Sequence, residues 1–127
     1  MASQIILRDY QTKDHARVKA NLIQAKMYYE DMDGKSLLKR MIKKDPESIV
    51  IAEDEGTIVG SAYFIDLGFT AMLWRLNVIP KYQKKNIGKQ LISEVQKKAK
   101  SRGFTQLHFT VHEEHSRLIK WYQEQGA

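Results

Sequence analysis

The apolar run FTAMLWRLNVIP, residues 69–80, passes directly into KYQKKNIGKQLISEV, residues 81–95, and this junction restricts the chain more than any other feature. The first half reads as a β-strand, closed by Pro80 because proline cannot donate to a ladder. In the second half Ile87, Leu91, Ile92, Val95 and Ala99 recur at helical spacing as far as SRGF, where Gly103 suits the position just past a helix end. A strand must therefore enter an amphipathic helix through a short basic turn.

That turn concentrates the charge. The chain of 127 residues carries a net +6, and Lys81, Lys84, Lys85, Lys89, Lys97, Lys98, Lys100 and Arg102 against Glu94 alone exceed that total within one segment. An anionic partner follows: nucleic acid, a membrane surface or a small molecule bearing several phosphates. The first amides of a helix lack intrahelical partners and its dipole favours negative charge, so a turn into a helix start can hold an anion. Asn86 is the non-glycine residue most tolerant of positive φ, and Gly88 lets a ligand approach the backbone. A solvated helix start would carry the same letters.

Elsewhere the patterning is that of one domain, residues 1–127, of α/β class. IILRDY reads as a strand and TKDHARVKANLIQAK as a helix with Val18, Leu22 and Ala25 on one face and Thr12 or Asp14 as cap. MYYEDMDG breaks that pattern, and Lys35–Lys44 forms a second helix ended by KDPES. SIVIAED, the tight turn EGT and TIVGSAYFID make a hairpin, to which the run before Pro80 adds an antiparallel strand. TQLHFTV alternates as a last strand, and EEHSRLIKWYQEQG is a last helix with Leu118, Ile119 and Trp121 or Tyr122 facing inward. The expected order is β-α-α-β-β-β-α-β-α around a mixed sheet.

Several classes of chemistry are excluded. There is no cysteine, hence no disulfide, thiolate metal site or cysteine nucleophile. His15 and His108 have no partners at metal-ligand spacing, so no metal is expected. No run of eighteen apolar residues and no signal-like N-terminus occurs, which gives the expectation of a cytoplasmic protein with no membrane partner.

The stretch LNVIPKYQKKNIGKQLISEV closely resembles the acetyl-CoA loop of the GNAT family of N-acetyltransferases, Arg/Gln-x-x-Gly-x-Gly/Ala after a strand ending in Val-x-Pro. Gln83 fills the first position and Gly88 the last, while Asn86 stands where the family usually has its first glycine. VHEEHSRLIKWYQEQGA resembles the family's last motif: Tyr122 and Gly126 keep its spacing, His115 replaces an Asn, and Ala127 replaces a Phe. The resemblance implies a mixed, mostly antiparallel central sheet flanked by helices. It also implies acetyl-CoA as cosubstrate, its phosphates at the amides and lysines of Lys84, Lys85, Asn86, Ile87, Gly88 and Lys89, with Gln83 beside them. Its pantetheine arm would run along Leu76 and Val78 and be supported by His115, and Tyr122 would be the acid that protonates the departing thiolate. The implied reaction is transfer of an acetyl group to a primary amine, of a small molecule or a peptide, by direct attack in a ternary complex.

In this family the segment between the first two helices builds part of the acceptor site. Here Tyr28, Tyr29, Glu30, Asp31 and Asp33 form an aromatic and acidic patch suited to a cationic amine. Many relatives carry a glutamate base on the fourth strand; FTAMLWRLNV has none, leaving His112, Glu113 and Glu114 as relays to consider. Family members normally continue with one or two more strands, whereas the chain stops at Ala127. The expectation is a sheet lacking its usual C-terminal strand or strands, with an edge at TQLHFTV that invites homodimer formation. Two other functions fit the charge: a CoA-binding regulator or scaffold without catalysis, and a nucleic-acid-binding module using the basic helix with Trp74 or Trp121 as a stacking surface.

Overall fold

The computed structural model describes residues 5–110. In chain order these are β1 (Ile5–Asp9), α1 (His15–Gln24), α2 (Glu30–Asp33), α3 (Lys35–Lys44), β2 (Ile49–Asp54), β3 (Thr57–Asp66), β4 (Ala71–Val78), α4 (Ile87–Ser101) and β5 (Leu107–Thr110). The strands form one sheet in the order β1-β2-β3-β4-β5, antiparallel except for the parallel pair β4–β5. The mixed sheet of the sequence reading is therefore present. The expected last helix, with His112, Glu113, Glu114, His115, Trp121 and Tyr122, lies outside the described residues. No helix among the described residues is long and apolar enough to cross a membrane.

Alternation along the strands divides the apolar residues between two layers. Val50, Ala52, Phe64, Leu73, Leu76 and Val78 pack under Ile87, Leu91, Ile92 and Val95 of α4. Ile49, Ile51, Ile58 and Tyr63 pack under Val18 and Leu22 of α1 and Leu38 of α3. Each of the fully buried leucines and isoleucines contributes about 1.5–3 kcal/mol by leaving water, so the two faces together anchor all three long helices.

Two irregularities shape the upper half of the sheet. Val59 is an extra residue between the pairs Ala52↔Gly60 and Glu53↔Ile58, and Asn21 of α1 donates to the Ile58 carbonyl (3.1 Å). In β4 the pairs Tyr63↔Trp74 and Ser61↔Asn77 leave Arg75 and Leu76 together opposite Ala62, a β-bulge whose first residue, Arg75, has φ 55°. Without it Leu76 and Val78 would point away from α4; with it they join Ala71 and Leu73 in the same apolar layer. Next to this bulge Gly60 lies under α4. A Cβ there would stand 2.9 Å from the Asn77 carbonyl oxygen and 3.2 Å from Leu91 Cδ1.

Element boundaries differ from the sequence expectation in two places. Residues 12–14 form a 3-10 turn and α1 starts at His15 with Asp14, one of the two caps read from the sequence, at the N-cap; the Asp14 carboxylate makes no cap bond because it turns back to accept the Gln11 N–H (2.8 Å) and the Arg8 guanidinium (2.8 and 3.0 Å). MYYEDMDG contains one helical turn, α2, pinned where the Asp33 carboxylate accepts the Tyr29 N–H (2.9 Å).

Candidate functional site

The junction singled out in the sequence builds an open helix start. β4 ends at Val78, a 3-10 turn spans Pro80–Tyr82, and α4 begins at Ile87. Lys84 and Asn86 both adopt φ 66°, and Asn86 is the N-cap with no side-chain cap bond. The first intrahelical bond runs from Gln90 N–H to Asn86 O (3.1 Å), so the Ile87 and Gly88 amides precede it. Two left-handed residues in quick succession turn the backbone into a concave row of donors at the positive end of the dipole. Lys84, Lys85 and Asn86 are exposed around it, while Ile87 and Gly88 are buried against the sheet.

Tyr82 anchors this loop. Its O–H donates to Asp54 Oδ2 (2.7 Å) at the end of β2, and the Lys81 and Lys85 ammonium groups lie 6.0 and 5.1 Å from its ring. The bond to Asp54 raises the Tyr82 phenol above its usual range. Gln83 folds back so that its side-chain amide donates to the Val78 carbonyl (3.0 Å). The Ile79 N–H to Val59 O bond (2.9 Å) makes 79↔59 a hydrogen-bonded pair, so in the same register Val78, opposite Gly60, turns its own N–H and C=O away from β3. The side chains of Leu76 and Val78 are core; only their backbone is available to a ligand. Among the described residues the pairing of β4 with β5 covers Ala71–Trp74.

On the other face of the sheet, Arg75, Asp33 and the tyrosines form a second constellation. Asp33 is fully buried; its Oδ1 accepts Tyr63 O–H (2.8 Å) and Arg75 Nε (3.0 Å), and its carbonyl accepts His15 Nε2–H (3.1 Å). Burial and the adjacent carboxylate hold the Tyr63 phenol far above its ordinary value. The Arg75 guanidinium lies 4.3 Å from the Trp74 ring and 5.4 Å from the Tyr29 ring, and Trp74 meets Tyr63 edge to face. Tyr28 donates to Glu30, which pushes its phenol up to about 12, and its ring carries the Lys19 ammonium at 5.2 Å. Tyr29, Glu30 and Asp31 are exposed.

The structure thus brings Gln83, Lys84, Lys85, Asn86, Ile87, Gly88 and Lys89 together with the ends of Leu76 and Val78, and sets Tyr28–Asp31 on the other face. His115 and Tyr122 lie outside the described residues. Sequence reasoning missed Arg75 and its pairing to Asp33; the available signal was a lone arginine inside the apolar run AMLWRLNV. Trp74, a candidate base-stacking surface, is half-buried, with the Arg75 guanidinium 4.3 Å from its ring centre and Tyr63 packed edge to face. Among the described residues no three His, Cys, Asp or Glu side chains converge as metal ligands. A cleft of about 640 Å³ lies at the opposite end of the sheet, lined by Met41, Phe64, Asp66, Leu67 and Arg102, away from both constellations.

Comparison with known proteins agrees with this geometry. Residues 8–127 match the model of the acetyltransferase (GNAT) family. A Yersinia pestis protein described as an acetyltransferase is 33% identical over 87 residues, 68% of this chain and 62% of the relative, so the match spans about three-fifths of that protein's length. Among solved structures, Ard1 from Thermoplasma volcanium superposes with a TM-score of 0.79 at 17% identity, covering 96% of this chain and 81% of that one. PaiA N-acetyltransferase from Thermoplasma acidophilum, in complex with coenzyme A, superposes with a TM-score of 0.72 at 23% identity, covering 96% and 88%. With a matched family model over nearly its whole length and the fold to go with it, the chain belongs to the acetyltransferase (GNAT) family.

Proposed function

We propose that the protein transfers an acetyl group from acetyl-CoA to a primary amine within a ternary complex. The observation that carries this reading is the uncapped start of α4, where Lys84 and Asn86 in left-handed conformations present backbone donors ringed by exposed lysines. The diphosphate of acetyl-CoA matches that row of amides, and Lys84 and Lys85 answer its charge. The thioester arm would lie along the bulged end of β4, where the Val78 N–H faces away from β3 and can donate to the thioester carbonyl as negative charge develops on it.

The amine nitrogen attacks the carbonyl carbon, the new C–N bond forms, the C–S bond breaks, and the products are an N-acetyl amide and the free thiol of CoA. One proton leaves the amine and one reaches the thiolate. An amine of pKa ~10.4 is deprotonated in only about one molecule in 2,500 at pH 7, so a base or water chain must accept its proton. Tyr122 is assigned to the thiolate: a phenol near ~10 beside a thiol near ~8.5 suffices as a hydrogen-bond donor that tightens as charge develops. His115 is assigned to the support of the cofactor arm.

The test pairs a thermal melt with CoA against a thiol-release assay with acetyl-CoA and a panel of amines. A rise in melting temperature together with amine-dependent thiol release supports the reading. A melting rise with no release from any amine makes the protein a cofactor-binding regulator or scaffold. No rise with CoA, and steeply salt-dependent binding of RNA instead, replaces the enzyme with a nucleic-acid-binding module.

A further inference from the structure

Resting on the acetyl-transfer reading, a second question is what the acceptor amine carries besides its nitrogen. Arg75 occupies a divided environment. Its Nε edge points inward to Asp33 Oδ1 (3.0 Å), a carboxylate that is also held by Tyr63 O–H and the Tyr29 N–H. Its faces lie against Trp74 and Tyr29. Its outer edge is different: among the described residues Nη2 meets the thioether sulfur of Met32 (3.3 Å), a weak acceptor, and no described oxygen accepts from Nη1. A guanidinium has five N–H donors, so most of its capacity meets no oxygen among the described residues, although the side chain is only 10% exposed.

The rim around that outer edge is apolar and open. Tyr29 is 60% exposed and Met32 48%, both on the segment between α1 and α3. A face-clamped guanidinium whose Nη edge meets no oxygen among the described residues is an arrangement that can read a carboxylate fork to fork. It stands on β4 three residues before Val78, close along the strand to the proposed thioester. The exposed Asp31 on α2, with Glu30 keeping its charge while it accepts from the Tyr28 O–H, supplies attraction for an ammonium group.

We infer that the acceptor is a zwitterion, an amine that also bears a carboxylate, and that Arg75 is a specificity-determining residue whose Nη edge binds this carboxylate between Tyr29 and Met32. A single carboxylate fits better than a phosphate dianion. Asp33 already balances the arginine, and a dianion would leave two negative charges without a local counterpart. The left-handed backbone of Arg75 (φ 55°), rare for a non-glycine residue, is in this view what aims the guanidinium edge between Tyr29 and Met32.

The experiment compares amino acids and ω-amino acids with their decarboxylated and C-terminally amidated counterparts as acceptors in the thiol-release assay. It uses the wild-type protein, Arg75→Lys and Arg75→Gln, each checked for a melting rise with CoA. Wild type is expected to favour the carboxylate-bearing amine by about ten-fold or more in kcat/KM. Arg75→Gln erases that preference through KM for the amine while the CoA-induced melting rise stays. Arg75→Lys, which keeps Asp33 compensated and guards against a folding defect, retains a weaker preference.

Equal or better turnover of the amidated counterparts, a preference that survives both substitutions, or preferred turnover of a phosphate-bearing amine each overturns the inference. If CoA binds but no amine is turned over, calorimetric titration of the CoA-loaded protein with N-acetylated products decides. Tighter binding of the carboxylate product than of its amide upholds the inference, and equal binding overturns it with the cofactor reading left standing. A protein that does not respond to CoA at all removes the parent reading.

Discussion

The two ends of α4 share a composition and have opposite fates. At its start Lys84 and Lys85 are exposed beside an uncapped first turn. At its end Lys98 is buried and donates to Asp9 Oδ1 (2.7 Å) and the Glu47 carbonyl (2.8 Å). Arg102 is gripped by Asp45 (2.8 Å), Glu47 (2.8 Å) and Asp66 (2.9 Å) and lies 4.8 Å from the Phe64 ring. The helix also closes tightly there: Gly103 at φ 84° donates to Lys100 O (3.0 Å) and Phe104 N–H reaches back to Ala99 O (3.1 Å), the Schellman pattern. At the C-terminal end Lys98 and Arg102 are taken up by the fold while Lys97 and Lys100 stay exposed; at the N-terminal end Lys84 and Lys85 both face outward beside free amides. What distinguishes the N-terminal tip is that exposed lysines there adjoin an uncapped first turn, an arrangement suited to a compact anion.

The strongest test of this division is Gly60→Ala. The added Cβ presses on the Asn77 carbonyl and on Leu91 beneath the first turns of α4, so it should lower stability by about 2 kcal/mol. Unlike every other substitution considered, it should reduce both the melting temperature and the affinity for CoA in calorimetry. Arg102→Ala is expected to cost about 1–2 kcal/mol in denaturant melts, because three partly exposed pairs contribute only about 0.2–1 kcal/mol each. The CoA affinity of its folded fraction should not change, and a parallel loss would merge the two ends into one unit.

Lys84→Ala with Lys85→Ala should do the reverse. CoA affinity falls about five-fold, or about 1 kcal/mol, less at high salt, with an unaltered melting temperature.

The smallest effect separates the ends by pH. Asp45 and Asp66 are held below their ordinary value of 3.8 chiefly by Arg102, so their stabilisation is present above that pH and disappears as pH falls through the folded values. Tyr82 is raised from 10.0 by Asp54, so its stabilisation is present below pH 10 and disappears as pH rises beyond it. Melts across pH should show the acid limb flattened by Arg102→Ala and the alkaline limb by Tyr82→Phe. Interchanged limbs would contradict the assignment.

Much of the fold was legible because the signals were local. The limits Lys35–Lys44 of α3, the hairpin at Glu55 and Gly56, the run of α4 to its glycine stop and the left-handed Asn86 all follow from propensity, periodicity and turn chemistry within a few residues. The short α2 was not legible, because the Asp33 carboxylate that pins it to the Tyr29 N–H is itself held in place by Tyr63 and Arg75, 30 and 42 residues away. In the candidate site the cofactor loop was legible for the same reason that α4 was. The acceptor side was read as an acidic patch, yet Tyr28 already occupies Glu30, and Asp33 is internal.

By itself the sequence determined the order of the strands and long helices among the described residues, the two apolar faces and the position of a basic turn before a helix, since each depends on spacing along the chain. Tertiary structure alone decided which positive charges remain available and where Arg75 points. Both depend on carboxylates from distant segments and on one extra residue in β4 that rotates everything after it to the other side of the sheet.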